Sequence, residues 1–202
     1  MEPTSTMRAD LDVIAGLINP GARVLDLGCG EGELLAHLQE TKSVNGYGLD
    51  VDENNIRICL DKGVNVIEQD LDDGLENFES HSFDMVVMTE TLQSVKAPDR
   101  LLLDMLRIGQ ECVVTFPNFG HWRCRTQLVL GHMPIANHLP HAWYDTPNIH
   151  LCTFRDFEKL CTELDLKIIQ RRVVNHKHAE NPWMLRWPNM FGTFAFYRLG
   201  RA

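Results

Sequence analysis

The sequence predicts an α/β domain built on a doubly wound, mostly parallel sheet. Three observations lead there. Short apolar, β-branched runs alternate with amphipathic stretches of about ten residues, the pattern of βαβ units. A glycine-rich turn, "DLGCGEG", joins the first such run to the stretch that follows it. The chain of 202 residues is long enough to bury roughly 70% of its unfolded surface but has no room for a second sizeable core. One domain over residues 1–202 is the expectation.

The elements follow in order. "MRADLDVIAGLI" (Met7–Ile18) has helical periodicity and stops at "NPG". "RVLDLG" is a short buried strand, and "EGELLAHLQE" a helix with acids in its first turn. "GYGLD" is a second strand, and Asp52 is an N-cap for "ENNIRICLDKG", with Gly63 at its C′ position. "VNVIEQDL" is strand three, "SFDMVVMTE" strand four, "APDRLLLDMLRI" a helix and "ECVVTFPN" strand five. An insert at about 119–152 then shows no clear period; runs of this length are usually functional or hold short helices. Thr153 caps the next helix, "TFRDFEKLCTELDL", and "KIIQRRVVN" and "GTFAFYRL" add two strands, completing a seven-stranded sheet.

Composition bounds the function. The formal net charge of −9 argues against a nucleic-acid partner, since phosphate contacts need a basic stripe. The charge is uneven, with a balance of −14 over residues 1–118 and +5 over residues 119–202. Twelve of the aromatic side chains, including all four Trp, lie in the second part. No apolar run reaches membrane-spanning length, and "MEPTSTMRADLD" carries acids where a secretory signal has basic and then apolar residues. Six scattered cysteines without a CxxC pair read as reduced thiols, so a cytoplasmic protein with no membrane partner is expected.

In "VLDLGCGEG", Gly28, Gly30 and Gly32 occupy the first strand-to-helix turn, where open α/β sheets bind ligands. Glycine there lets the backbone reach a ligand without a Cβ in the way. Dinucleotide folds use GxGxxG to cradle a pyrophosphate. Here the spacing is GxGxG, and Asp26, Glu31 and Glu33 would repel a phosphate and suit a cationic ligand. Asp50 ends strand two and is placed for ribose hydroxyls. Asp70 ends strand three and is placed for an adenine amino group, with Val51 and Leu71 as apolar faces for the base.

This combination resembles a class I S-adenosylmethionine-dependent methyltransferase, over Arg23 to about Ile108. The resemblance implies that the seven strands form that family's Rossmann-like sheet, and that Asp26, Gly28, Cys29, Gly30, Asp50, Val51, Asp70 and Leu71 hold S-adenosylmethionine or S-adenosylhomocysteine. Methyl transfer needs mostly orientation and desolvation, so no catalytic residue is assigned from sequence. "TETLQSV" lacks the D/N-P-P-Y type of sequence of amino-methylating nucleic-acid enzymes. His121, His150 and Tyr144 are the candidate bases near the expected pocket mouth, and each would equally well order the loop. The spacings His138-x-x-His141 and His176-x-His178 lack further ligands, so no metal is expected. Nor is there a GxSxG elbow for acyl transfer, and Cys29 has no recognisable base in the sequence.

"VNVIEQDLDDGL", "FPNFGHWRCRTQL", "MPIANHLPHAWYDTPNIHLCT" and "RDFEKLC" together are similar to the methionine biosynthesis protein MetW family, from about Arg23 to Leu166. That resemblance implies a methyltransferase-like fold working beside a homoserine O-acyltransferase, which it binds and activates. Trp122, Arg123, Trp143 and Tyr144 are residue types that dominate interfaces, and suit docking on an acidic partner. The same region would alternatively serve as a lid over the nucleoside pocket, or simply pack the loop. Two functions are thus carried forward: an accessory protein for the acyltransferase, and an active methyltransferase on a small metabolite.

Overall fold

A computed structural model describes residues 11–175 and 179–201. Seven strands form one sheet: β1 (Arg23–Leu27), β2 (Asn45–Asp50), β3 (Asn65–Glu68), β4 (Phe83–Thr89), β5 (Gly109–Pro117), β6 (Leu166–Val174) and β7 (Phe194–Arg201). Their order is β3-β2-β1-β4-β5-β7-β6. Strands β1 to β5 pair in parallel, whereas β7 runs antiparallel to both its neighbours. The fold is therefore the mostly parallel seven-stranded sheet that the alternating pattern predicts, with one reversed strand.

The central strands β1, β4 and β5 are largely apolar and buried because both faces of the sheet are covered there. Alternate residues diverge: Val86, Met88, Val114 and Phe116 enter one core, and Met85, Val87 and Val113 the other. The first core receives α3 (Pro98–Ile108) through Leu101, Leu102 and Met105, and α5 (Phe154–Glu163) through Phe154 and Phe157. The second receives α1 (Glu33–Lys42) through Leu34, Leu35 and Leu38, and the helical residues 11–15. The earlier part of the Met7–Ile18 helix lies outside the described residues.

The end signals act as the sequence implies. The Asp52 carboxylate accepts from the Asn54 backbone N–H at 2.8 Å to start α2 (Glu53–Asp61), and Gly63 follows it at φ 73°. Thr153 Oγ1 accepts from the Asp156 N–H at 3.3 Å and donates to the Asp156 carboxylate at 2.7 Å. These two bonds close the first turn of α5.

One expectation needs correction. Strand β3 stops at Glu68, so Asp70 does not end it; Asp70 instead caps a short 3-10 turn over Leu71–Asp73, accepting from the Asp72 N–H at 2.9 Å. Run after run of acids there favours local side-chain-to-backbone bonding over further ladder pairing. The aperiodic insert contains a helix, α4 (Trp122–Val129), and two short helices, α6 (Pro182–Arg186) and α7 (Pro188–Phe191), precede β7. Helix α4 is started by His121, whose Nδ1 accepts from the Arg123 N–H at 3.3 Å. Histidine is not among the preferred N-caps, which hides that start from a reading of residue types. Among the described residues no helix is long and apolar enough to cross a membrane.

Candidate functional site

In the strand order the chain runs outward both ways from the β1–β4 junction, and that switch point opens a crevice beyond the strands' carboxyl ends. A cleft of about 450 Å³ lies there, with Asp26, Gly28, Cys29, Gly30, Thr89 and Glu90 in its lining. Leu11 and Ile14 close one side.

The turn is held from the neighbouring strand. The N–H groups of Gly28 and Cys29 both donate to the Leu49 carbonyl at 2.9 Å, and the Gly30 N–H donates to Asp50 Oδ2 at 2.8 Å. Gly28 has φ 72°, and a Cβ on it would come within 2.6 Å of Thr91 Oγ1. Gly30, at φ 54°, faces open space, so conformation alone requires glycine there. Asp50 Oδ1 accepts from the Asp52 N–H at 2.9 Å and from Asn55 Nδ2 at 3.2 Å. Asn55, itself in the cleft lining, thus orients the acid.

Asp26 is 2% exposed, and its Oδ1 has no hydrogen-bond partner among the described residues; the same holds for Thr89 Oγ1. Burial, with a smaller contribution from Asp50, pushes the Asp26 carboxyl up to about 7. A buried acid with an orphaned oxygen in a cleft is a group prepared for a cationic or hydrogen-bond-donating ligand. Glu90 adds strain at the rim: it adopts φ 51°, a left-handed conformation costly for a non-glycine residue, pinned as its N–H donates to Thr115 Oγ1 at 3.0 Å.

The sequence-predicted residues divide accordingly. Asp26, Gly28, Cys29 and Gly30 line the cleft, and Asp50 is bonded to its edge. Val51 stands exposed just past β2, while Leu71 packs against the core beneath the 3-10 turn that Asp70 caps. Burial, chiefly, raises the Cys29 thiol far above its usual range, so no thiolate is available there. Thr89, Glu90 and Asn55 were not legible as site residues. Their only signal in the sequence is position, at the end of β4 and five residues past Asp50.

The candidate bases are scattered. His150 Nε2 contacts the Lys96 carbonyl at 3.3 Å, and Tyr144 is 76% exposed with its ring edge-on to Trp143. His121 lines a different cavity, at the start of α4, together with His138. His141 lines another groove, with Trp143, so His138 and His141 are not brought together. The pair His176 and His178 lies outside the described residues.

The profile of the family described as "Methionine biosynthesis protein MetW" matches residues 8–199. The chain belongs to the MetW family. A curated relative from Rhodopirellula baltica, named bifunctional methionine biosynthesis protein MetXA/MetW, is 34% identical over 173 residues. That match takes in 81% of this chain and 28% of the relative, so this MetW family member spans under a third of the length of its bifunctional counterpart. Among solved structures, an S-adenosylmethionine-dependent methyltransferase from Mesorhizobium loti superposes with a TM-score of 0.70 at 17% identity, covering 96% of this chain and 98% of that one. A putative methyltransferase complex with the Trm112 activator, from Haloferax volcanii, gives 0.69 at 16% identity, covering 97% and 88%. At such identities the likeness establishes the methyltransferase fold.

Proposed function

We propose that this MetW family member binds S-adenosylmethionine or S-adenosylhomocysteine in the glycine-turn cleft and acts as an accessory protein that binds and activates a homoserine O-acyltransferase. The partner reading is carried by one observation: in the Rhodopirellula baltica relative, MetXA and MetW are joined in one polypeptide. Fusion raises the effective concentration of two modules that work in contact.

The residues present fit the ligand. Asp26 offers its unpartnered oxygen to an α-ammonium group, and the Gly28–Gly30 backbone leaves space for a close approach. Asp50, held rigid by three donors, keeps lone pairs for ribose hydroxyls. Asp70 spends Oδ1 on its own turn and keeps Oδ2 for an amino group. When bound, S-adenosylmethionine supplies an electrophilic methyl carbon on a sulfonium. The chain's own contribution is to hold the ligand's polar ends, with Leu11, Ile14 and Leu34 keeping water from one side.

For the partner, the exposure of the insert's two tryptophans supports display over loop packing: Trp122 is 42% and Trp143 71% exposed. Trp122 and Arg123 begin α4, and Trp143 and Tyr144 lie in the loop that follows it, Trp143 lining a groove with Gln127. This face, with the exposed Leu128, Val129 and Leu130, is the docking surface we assign.

The test is homoserine acylation by the same organism's acyltransferase, alone and with this protein added. A rate increase is expected, lost in a Trp143→Ala/Tyr144→Ala variant that melts like the wild type. No rate change, and no complex on size-exclusion chromatography, would overturn the accessory role. The alternative, methyl transfer to a small metabolite, would then be read out as label passing from S-adenosylmethionine to an extract.

A further inference from the structure

A second cavity, of about 550 Å³, opens where the ends of β5, β6 and β7 converge on the start of α4. Its volume is that of a small-molecule pocket. His121, Trp122 and Arg123 line it from α4, Asn181, Trp183 and Met184 from the start of α6, and Phe191 and Thr193 from the approach to β7. None of these residues lines the glycine-turn cleft.

The polar groups in its wall have a definite sense. His121 is only 9% exposed, and its Nδ1 accepts the Arg123 backbone N–H. The neutral ring therefore carries its proton on Nε2, which has no hydrogen-bond partner among the described residues. Burial, helped by His138 and Arg123, pushes His121 down to about 4, so the ring is neutral at physiological pH. The Arg123 guanidinium lies 5.5 Å from the centroid of the Trp122 ring, and no carboxylate pairs with it among the described residues. An Nε2–H donor and an unpaired guanidinium thus line one cavity, whose wall combines the apolar Trp183, Met184 and Phe191 with the polar Asn137, His138 and Asn181.

We propose that this cavity binds a small carboxylic acid with an aromatic or branched apolar body. The carboxylate accepts from the planar fork of Arg123 and from His121 Nε2–H, and the body lies against Trp183, Met184 and Phe191. A carboxylate matches that fork in shape and charge, whereas a phosphate dianion would need more donors than these two side chains supply. The assignment is independent of the nucleoside reading, because it concerns a different cavity with none of that cleft's lining residues; Trp122 and Arg123 are shared with the docking surface assigned above.

The experiment compares 3-phenylpropionate with its neutral isostere 3-phenylpropanamide as probes, by saturation-transfer NMR on the isolated full chain, with and without saturating S-adenosylhomocysteine. The acid is expected to bind at least tenfold more tightly than the amide, with no displacement by S-adenosylhomocysteine. Arg123→Ala, an exposed change, is expected to weaken the acid about tenfold and leave the amide unchanged. His121→Asn keeps an N-cap for α4 but removes the Nε2 donor, and should weaken the acid several-fold in the folded protein. Equal binding of acid and amide, indifference to Arg123→Ala, or displacement by S-adenosylhomocysteine would each overturn the proposal.

Discussion

Burial, and then Asp50, push the Asp26 carboxyl up to about 7, into the physiological range. The sign of the consequence follows from linkage. An unfolded Asp ionises near 3.8 and the folded one near 7, so the stability present below the unfolded value is lost progressively as pH rises through the folded one. Asp26→Asn should therefore be nearly neutral near pH 4 and stabilising above pH 7, by an amount on the order of 4 kcal/mol at most. Thermal melts at the two pH values check this; equal melting shifts at both would show that Asp26 is not held by desolvation. If the proposed ligand pairs its ammonium group with Asp26, the same carboxyl governs its binding, since only the ionised form makes that pair. Affinity for S-adenosylhomocysteine should climb about tenfold per pH unit below 7 and level off above it, and Asp26→Asn should remove the climb. The residue types at this site were legible because glycines and acids sit on one turn, "LDLGCGEG". The orphaned state of Asp26 was not, because burial of a particular oxygen is a property of the packed sheet.

Between elements, Asn118 is the joint. It is fully buried just beyond β5, its Nδ2 donating to the Gly192 carbonyl at 2.7 Å and to the Asn189 carbonyl at 3.2 Å. Its Oδ1 accepts from the Gly120 N–H at 2.9 Å. One amide thus ties the end of β5 to the turn after α7, where β7 begins, and shapes the approach to α4. Asn118→Ala would strand those backbone groups without partners, at a cost of about 3 kcal/mol and a melting temperature lower by roughly 6–12 °C for a chain of this size. Asn118→Asp should cost no less, as it loses the donor and buries a charge. A drop under about 1 °C in calorimetry for the alanine variant would show that water replaces the amide. The strands and long helices were legible here from period and caps such as Asp52 and Thr153. Helix α4 and the end of β3 were not: α4 begins at a histidine cap, and β3 stops where Asp70 turns to bond its own backbone. In both places a local side-chain bond outweighs the pattern of apolar residues.

Across the whole molecule, charge and exposed apolar surface are segregated together. Residues 1–118 carry a balance of −14, and residues 119–202 a balance of +5. Among the described residues the large exposed apolar side chains fall mostly in the second part, from Trp122 and Leu128–Leu130 through Trp143 and Tyr144 to Trp183 and Trp187. Large exposed apolar side chains concentrated in the basic part of the chain are a feature of contact surfaces. If the acyltransferase docks there, the two features should separate kinetically. Long-range attraction acts on encounter and is screened within about 10 Å at 0.1 M salt, whereas aromatic burial governs how long the complex lasts. Raising salt to about half-molar should then lower the association rate about tenfold and leave dissociation within about twofold. Trp143→Ala/Tyr144→Ala should do the reverse, speeding dissociation while sparing association. Biolayer interferometry at several salt concentrations reads both rates. An association rate indifferent to salt would remove the charge asymmetry from the docking account. Dissociation indifferent to the double variant would remove the aromatic residues from it, and place the contact on the acidic side that carries the glycine turn.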